Sequence, residues 1–219
     1  MASVLQTEVV ARSTGSKENR RSADGRRART VRTRAAILDS AVSQIEAGDL
    51  KPTAASIAAG AGLSVRSVFQ HFADLDDLFL AVADRQTNRV AVLYASMVYV
   101  GDFSSRLEAF LGYRVELYEF IAPFRRLALH HERLSPVVAS RMQLAREIHR
   151  YDVERAFAPE TEILRARGES TIVAQIAGLS SFVTWDEWRR VEQLTVEETR
   201  RLLGRSLAGL LADALDAEG

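Results

Sequence analysis

Apolar residues recur along this chain at the three-and-four spacing of helices, with no stretch showing the alternation of a strand. Leu38, Ala41, Val42 and Ile45 predict a first helix from near Val31 or Thr33 to Ala47, stopped at Gly48-Asp49. Thr53 follows Pro52 as an N-cap, and Ile57 and Ala58 supply the buried face of a short helix. Ala61-Gly62-Leu63 then makes a tight turn, Gly62 permitting a positive φ and Leu63 plugging the angle between helices. Ser64 caps a second short helix that turns Val68 and Phe72 inward and leaves Val65, Arg66, Ser67 and Gln70 outward. Asp74 caps a long helix carrying Leu78, Phe79, Val82, Val90, Leu93 and Met97, ended by Gly101-Asp102.

The same period continues to the end of the chain. Ser105 and Glu108 have capping-box spacing, opening a helix through Phe110, Tyr113, Leu117 and Phe120 to Pro123. A short helix is expected over 124–133, and Ser135-Pro136 starts another that reaches about Phe157. Pro159 separates it from a helix beginning near Thr161 or Ser170 and running to Arg190. A second capping box, Thr195 to Glu198, begins a last helix ending near Leu215. The expected fold is all-α, with about nine helices and no sheet. It divides into a flexible, arginine-rich arm over 1–30, expected to be disordered in the free protein, a helix-turn-helix domain over 31–76 and a helical effector-binding and dimerisation domain over 77–219.

Composition changes this picture little: 47% of the 219 residues are hydrophobic and 26% charged, ordinary for a soluble globular chain. The absence of cysteine removes disulfide and thiolate-metal chemistry and suits a reducing cytoplasm, the expected location. Neither a signal peptide nor a membrane span is expected. Charge changes the picture more. The formal net charge is zero, yet Arg20, Arg21, Arg26, Arg27, Arg29, Arg32 and Arg34 stand against Asp24 alone. A basic arm therefore precedes an acidic body, a pattern that suits a polyanion partner and otherwise marks a solvated tail. The helix-turn-helix segment is itself acidic, with Asp39, Glu46, Asp49, Asp74 and Asp76 against Lys51 and Arg66. The arginines thus become the candidate source of electrostatic attraction, with Arg26, Arg27 and Arg29 nearest the unit.

With these residues in place, the chain resembles the TetR family of bacterial transcriptional regulators. The resemblance is densest over Thr33 to Leu78: an amphipathic helix, Ser-Ile-Ala-Ala-Gly-Ala-Gly-Leu-Ser, Val-Phe-Gln-His-Phe, then Asp-Asp-Leu. Trp185-Asp186-Glu187-Trp188-Arg189 and Leu194-Thr195-Val196-Glu197-Glu198 look like the final helix pair of such regulators, while Val90 to Ser170 is similar in architecture only. The resemblance implies a homodimer that sets its third helices in successive major grooves of an operator and is released by a small-molecule effector. By position, Ser64, Val65, Arg66, Ser67, Phe69 and Gln70 make the DNA-facing set, and Thr33, Thr53 and His71 match phosphate-contacting positions. Arg66 is the candidate for a direct base contact, since a guanidinium engages guanine O6 and N7 bidentately. Two positions depart from the pattern: Phe69 stands where a tyrosine is usual and Leu75 where a lysine is common.

Two further site expectations follow. Tyr94, Phe110, Tyr113, Phe124, Tyr151 and Trp185 are candidates to line a cavity for an apolar or amphipathic effector, the alternative being ordinary core. Arg114 or Arg125 inside the bundle would favour an acidic ligand, though both are expected in solvent. Ile172, Ile176, Leu179, Val183, Leu203, Leu207 and Leu210 form stripes on the last two helices that could pair with a second copy as a four-helix bundle. Their alternative is packing within their own domain. His130, His131, Glu132 and His149 raise a metal site, but adjacent histidines on a helix diverge by about 100°. Neither metal nor cofactor is expected. No glycine-rich phosphate loop, nucleophile elbow or His-Glu-x-x-His run is present, so an enzyme is not expected. A ligand-independent regulator, and more remotely a helical enzyme or partner-binding module, remain the alternatives.

Overall fold

The computed structural model describes residues 25–95 and 97–212, which form ten helical segments and no strand. The fold is all-α, as the periodicity predicts. The first helix, α1, covers 25–46. The others are α2 (Ala54–Gly60), α3 (Val65–His71), α4 (Leu75–Ala95), α5 (Phe103–His131), α6 (Pro136–Ala156), α7 (Ala158–Ala166), α8 (Ile172–Leu179), α9 (Phe182–Arg190) and α10 (Val196–Leu210).

The first correction concerns the arm. Residues 25–30 continue α1, so Arg26, Arg27 and Arg29 sit on helical turns and are exposed. Alanine and arginine are strong helix formers, and no glycine or proline interrupts 26–46. Arg20 and Arg21 lie outside the described residues. Arg34 turns back onto the unit: its guanidinium stacks 4.5 Å above the Phe72 ring.

Three expected boundaries also move. Asp102, not Ser105, caps α5 by accepting from the Ser105 amide at 2.8 Å, and Glu108 instead pairs with Arg200. The helix then runs unbroken through Pro123 to His131, absorbing the short helix expected over 124–133. Proline removes one backbone hydrogen bond, but Ile121, Ala122 and Leu127 are buried on both sides of it and hold the helix in place. Pro159 lies in the first turn of α7, where its missing N–H costs nothing. The long helix expected up to Arg190 is cut at Ser180-Ser181. Ser180 Oγ donates to Ile176 O at 2.7 Å to finish α8, while Ser181 accepts from the Thr184 amide at 3.2 Å to start α9. The Thr195–Glu198 capping box opens α10 as expected. Its expected end at Leu215 lies outside the described residues.

Three apolar clusters organise the fold. One gathers Ile37, Ala41, Ile45, Ile57, Val68 and Phe72 of α1 to α3 with Leu78, Phe79 and Val82 of α4 and Leu127 of α5. The amino-terminal unit therefore shares its core with helices beyond residue 76. A second cluster joins α5, α6, α7, α8 and α10 around Phe110, Phe157, Ile176, Leu203 and Leu207. The third packs α9 on α5 through Tyr118, Ile121, Phe182 and Trp185.

That second cluster corrects the dimer expectation. Ile172, Ile176, Leu203 and Leu207 are fully buried in their own protomer and cannot meet a second copy. The apolar stripes on α8 and α10 face α5 and α6, whose own apolar faces need cover. Leu179 and Leu210 are half-buried against the same core. Val183, placed past the break at Ser180-Ser181, leaves the stripe and is exposed.

Candidate nucleic-acid interface and cavity

The helix-turn-helix is built by local chemistry. Thr53 and Ser56 form a reciprocal capping box, with the Ser56 amide donating to Thr53 Oγ1 and the Thr53 amide to Ser56 Oγ, both at 3.1 Å. At the other end Leu63 N donates to Ala58 O at 2.9 Å and Gly62 N to Ala59 O at 3.1 Å. This is the paired bonding that closes a helix on a left-handed residue, and Gly62 has φ +68°. Leu63 packs against the core, as its plug role requires. Ser64 caps α3 by accepting from the Ser67 amide at 3.2 Å, and Asp74 caps α4 through the Asp77 amide at 2.8 Å.

The angle between α1 and α2 is set by close approach. A Cβ on Gly60 would lie 2.4 Å from Ser40 Oγ. Ser40 donates to Ile57 O at 2.9 Å, Gln44 Nε2 donates to Ser40 Oγ at 3.2 Å, and Ser56 Oγ donates to Gln44 Oε1 at 2.8 Å. This polar clamp fixes α2, and α3 follows through the turn.

On α3, Val65, Arg66, Phe69 and Gln70 are exposed together, with Val65 41% and Phe69 48% accessible. Val68 and Phe72 point into the core. Arg66 makes no ion pair or hydrogen bond among the described residues. Ser67 differs from expectation: it is half-buried, and its hydroxyl lies 3.0 Å from that of Ser64. Thr33 and His71 are half-buried, and the Thr53 hydroxyl is engaged in its cap. Leu75, at the position where a lysine would add charge, packs against the apolar core instead.

A cavity of about 270 Å³ opens between α4, α5 and α6. Its α4 wall is the i, i+4 stripe Val82, Gln86, Val90 and Tyr94; α5 supplies Ile121, Phe124 and Arg125, and α6 supplies Met142 and Ile148. Of the six aromatic residues expected there, Tyr94 and Phe124 line it. Tyr113 faces a separate small pocket, meeting Tyr94 edge-on at 5.3 Å. Phe110 is core, Trp185 is buried against Tyr118 and donates to Glu119 at 2.9 Å, and Tyr151 is exposed. The break at Ser180-Ser181 and the inward face of α5 set these directions, which residue type alone does not fix. The sequence reading missed Gln86, and its signal was a lone amide at the core period of an apolar helix.

The two arginines in question separate cleanly. Arg114 is completely buried, contrary to expectation, and pairs with Asp152 at 2.5 Å while stacking 4.5 Å from the Phe110 ring. Tyr99 donates to the same carboxylate at 3.1 Å. Arg125 is half-buried in the cavity wall, and burial pushes its guanidinium pKa below the ordinary value. Its neighbour is Met142 Sδ at 3.2 Å, a weak acceptor.

The cavity and the amino-terminal unit share walls. Phe79, Val82 and Leu127 line one and fill the core of the other. The α4 helix is also tied both ways by surface pairs, Asp84 to Arg141 of α6 at 2.7 Å and Arg85 to Asp39 of α1 at 2.5 Å. His131, beside the cavity, meets Leu50 O through Nε2 at 3.2 Å and the Phe79 ring at 5.5 Å. No group of three metal-ligating side chains occurs among the described residues, and no described helix is long and apolar enough to cross a membrane.

Comparison with protein-family models, with curated proteins and with solved structures gave no match.

Proposed function

We propose that this chain is a TetR-like transcriptional regulator, a homodimer that binds operator DNA and leaves it when a small molecule fills the α4–α6 cavity. One observation carries the reading: the exposed α3 face is anchored on a core whose residues Phe79, Val82 and Leu127 also form the cavity wall. A ligand that displaces any of them must reposition the unit that carries Arg66. That is the differential contact a ligand-driven shift requires. The same observation favours a ligand-responsive regulator over a ligand-independent one.

The α3 face offers Arg66 and Gln70 for base edges and Val65 and Phe69 for apolar contact with thymine methyls or sugars. The arginines at 26, 27 and 29 project from α1 as phosphate contacts. Dimerisation follows from the need of a single short recognition helix for a second half-site. Its interface lies on surfaces other than the buried stripes of α8 and α10.

Selection from a random DNA pool tests the reading, since an enriched two-half-site sequence tests dimer and recognition together. On that sequence Arg66→Ala should cost about 1–3 kcal/mol and relax preference at one position. Replacing Arg26, Arg27 and Arg29 with alanine should weaken binding for every sequence and lower the log–log salt slope by about 0.9 per lost phosphate contact. A pool that enriches nothing sinks the proposal.

A further inference from the structure

We infer that the α4–α6 cavity takes an amphipathic carboxylate, its apolar body against Val82, Val90 and Phe124 and its anionic head on Arg125. The inference rests on the proposed ligand-responsive role of this cavity. It adds the ligand's charge and polarity.

Three observations point there. First, Arg125 carries a full positive charge into an apolar wall without a carboxylate partner among the described residues. Glu132, the carboxylate whose charge acts on it, holds Arg146 at 2.7 Å, and Arg141, also in the cavity lining, is held by Asp84 at 2.7 Å. A half-buried guanidinium whose hydrogen-bond acceptor among the described residues is a thioether, with Glu132 acting on it only as a charge and not as a hydrogen-bonded partner, has room for a counter-ion. Second, Gln86 is 93% buried in the same wall, at 7% exposure, and its Oε1 has no hydrogen-bond partner. An amide oxygen placed on the core face of α4 without a protein partner is a second polar anchor for whatever occupies the space. It accepts from a hydroxyl on the ligand, and the amide turned over would present its N–H to a carboxylate oxygen. Third, apart from Thr87, His131 and Arg141, the last already paired with Asp84, the remaining lining is aliphatic and aromatic. Leu144 and Ile148 of α6, both exposed, mark an apolar mouth through which a hydrocarbon chain can enter.

The contrast with Arg114 sharpens the inference. That arginine, about three turns earlier on α5, is buried deeper and has its charge matched by Asp152 at 2.5 Å. The fold therefore provides an internal carboxylate where an arginine is structural. At Arg125 it provides none, and an external carboxylate completes the pair.

Calorimetric titration of the whole protein, without DNA, tests this with octanoate and decanoate against octanol, decanol, octylamine and decylamine. The carboxylates should bind about ten- to a hundredfold more tightly than the alcohols, and the amines should not bind. Arg125→Gln should bring carboxylate affinity down to that of the alcohol while leaving the alcohol unchanged, and Arg125→Lys should keep part of the preference. Equal binding of carboxylate and alcohol, tighter binding of the amine, or no carboxylate binding would each overturn the inference. So would an undiminished carboxylate preference in Arg125→Gln. The titration contains no nucleic acid, so its failure leaves the DNA-binding reading intact, and an empty DNA selection leaves this result standing.

Discussion

The amino-terminal unit and the helical body treat charge in opposite ways. Around Ile37, Ile57, Val68 and Phe72 the core is wholly apolar among the described residues, and Ser40, Gln44, Ser56 and Ser64 act at helix ends and helix edges. The body closes on two buried ion pairs. Arg114 and Asp152 meet at 2.5 Å with both side chains 1% exposed, and Arg106 holds Glu160 through two bonds at 2.5 and 3.0 Å. The helix caps of the first arrangement act within a few residues of sequence, and its clamp between α1 and α2 spans 12 and 17 residues. The second depends on partners 38 and 54 residues apart, each of which is costly to leave alone. The unit thus carries no charge in its core, which it shares with α4 and α5, and the body is a frame whose geometry is specified by polar matches.

The strongest way to break that comparison is to orphan a charge in the body. Arg114→Ala or Asp152→Ala should each destabilise the protein by about 3–5 kcal/mol, because the survivor is left charged in an apolar site. The paired replacement Arg114→Met with Asp152→Leu should recover most of that loss, since the ring contacts of Phe110 accept a hydrocarbon of similar volume. Urea unfolding of the three proteins measures both. Should the double variant lose as much as the sum of the singles, the pair would be a source of net stability and not a specificity device.

A smaller effect should appear on acidification, again only in the body. His149 of α6 is held neutral: burial lowers its pKa to about 3, with the positive charges of Arg114 and Arg125 acting in the same direction. Its Nε2 lies 3.0 Å from Ala177 O and 3.3 Å from Ser180 Oγ, while Nδ1 is buried without a partner. The unfolded chain protonates this group near pH 6.5 and the folded one only near 3, so between those values the unfolded state binds more protons. Stability is therefore lost as pH falls below about 6.5, at up to about 1.4 kcal/mol per pH unit from this residue. Between pH 7 and 5 the expected contribution is about 2 kcal/mol. His149→Gln should have a shallower stability–pH curve than the parent by that amount, and superimposable slopes would show that the imidazole charges without cost.

The same contrast explains what the sequence disclosed. Helix-turn-helix signals are local: Thr53 with Ser56, Gly62 with Ala59, Leu63 with Ala58, and Ser64 with Ser67 all act within a few residues. Their spacing in the chain is therefore enough to place the exposed face of α3. The body offers no such shortcut. Arginine at position 114 is indistinguishable by periodicity from a solvated one until Asp152 is brought to it, and Arg125 is only half-buried and lacks such a partner among the described residues. The dimer stripe failed for a related reason. Ile172, Ile176, Leu179 and Val183 share one face only if one helix spans them, and Ser180-Ser181, two ordinary polar residues, end that helix by bonding back to the chain. Pro123 misled in the opposite sense, since burial on either side outweighed the lost hydrogen bond.

The finest test of the comparison asks whether the amino-terminal unit tolerates repair as a local device should. Gly60 ends α2, where alanine would normally gain up to about 1 kcal/mol of helix propensity. A new Cβ there meets Ser40 Oγ at 2.4 Å, an oxygen already committed to Ile57 O. Gly60→Ala should therefore be destabilising, by about 1 kcal/mol, as overpacking outweighs propensity. Removing the obstruction reverses the sign of the effect. In a Ser40→Ala background the nearest remaining atoms are Gln44 Nε2 at 3.3 Å, the end of a side chain that has lost its Ser40 acceptor and can shift, and the residue 40 Cβ at 3.5 Å, so Gly60→Ala should there be neutral or slightly stabilising. Thermal unfolding of the four proteins gives the coupling energy directly. A coupling near zero would mean that the approach of α1 to α2 is set elsewhere, and that the unit, like the body, relies on contacts its local sequence does not announce.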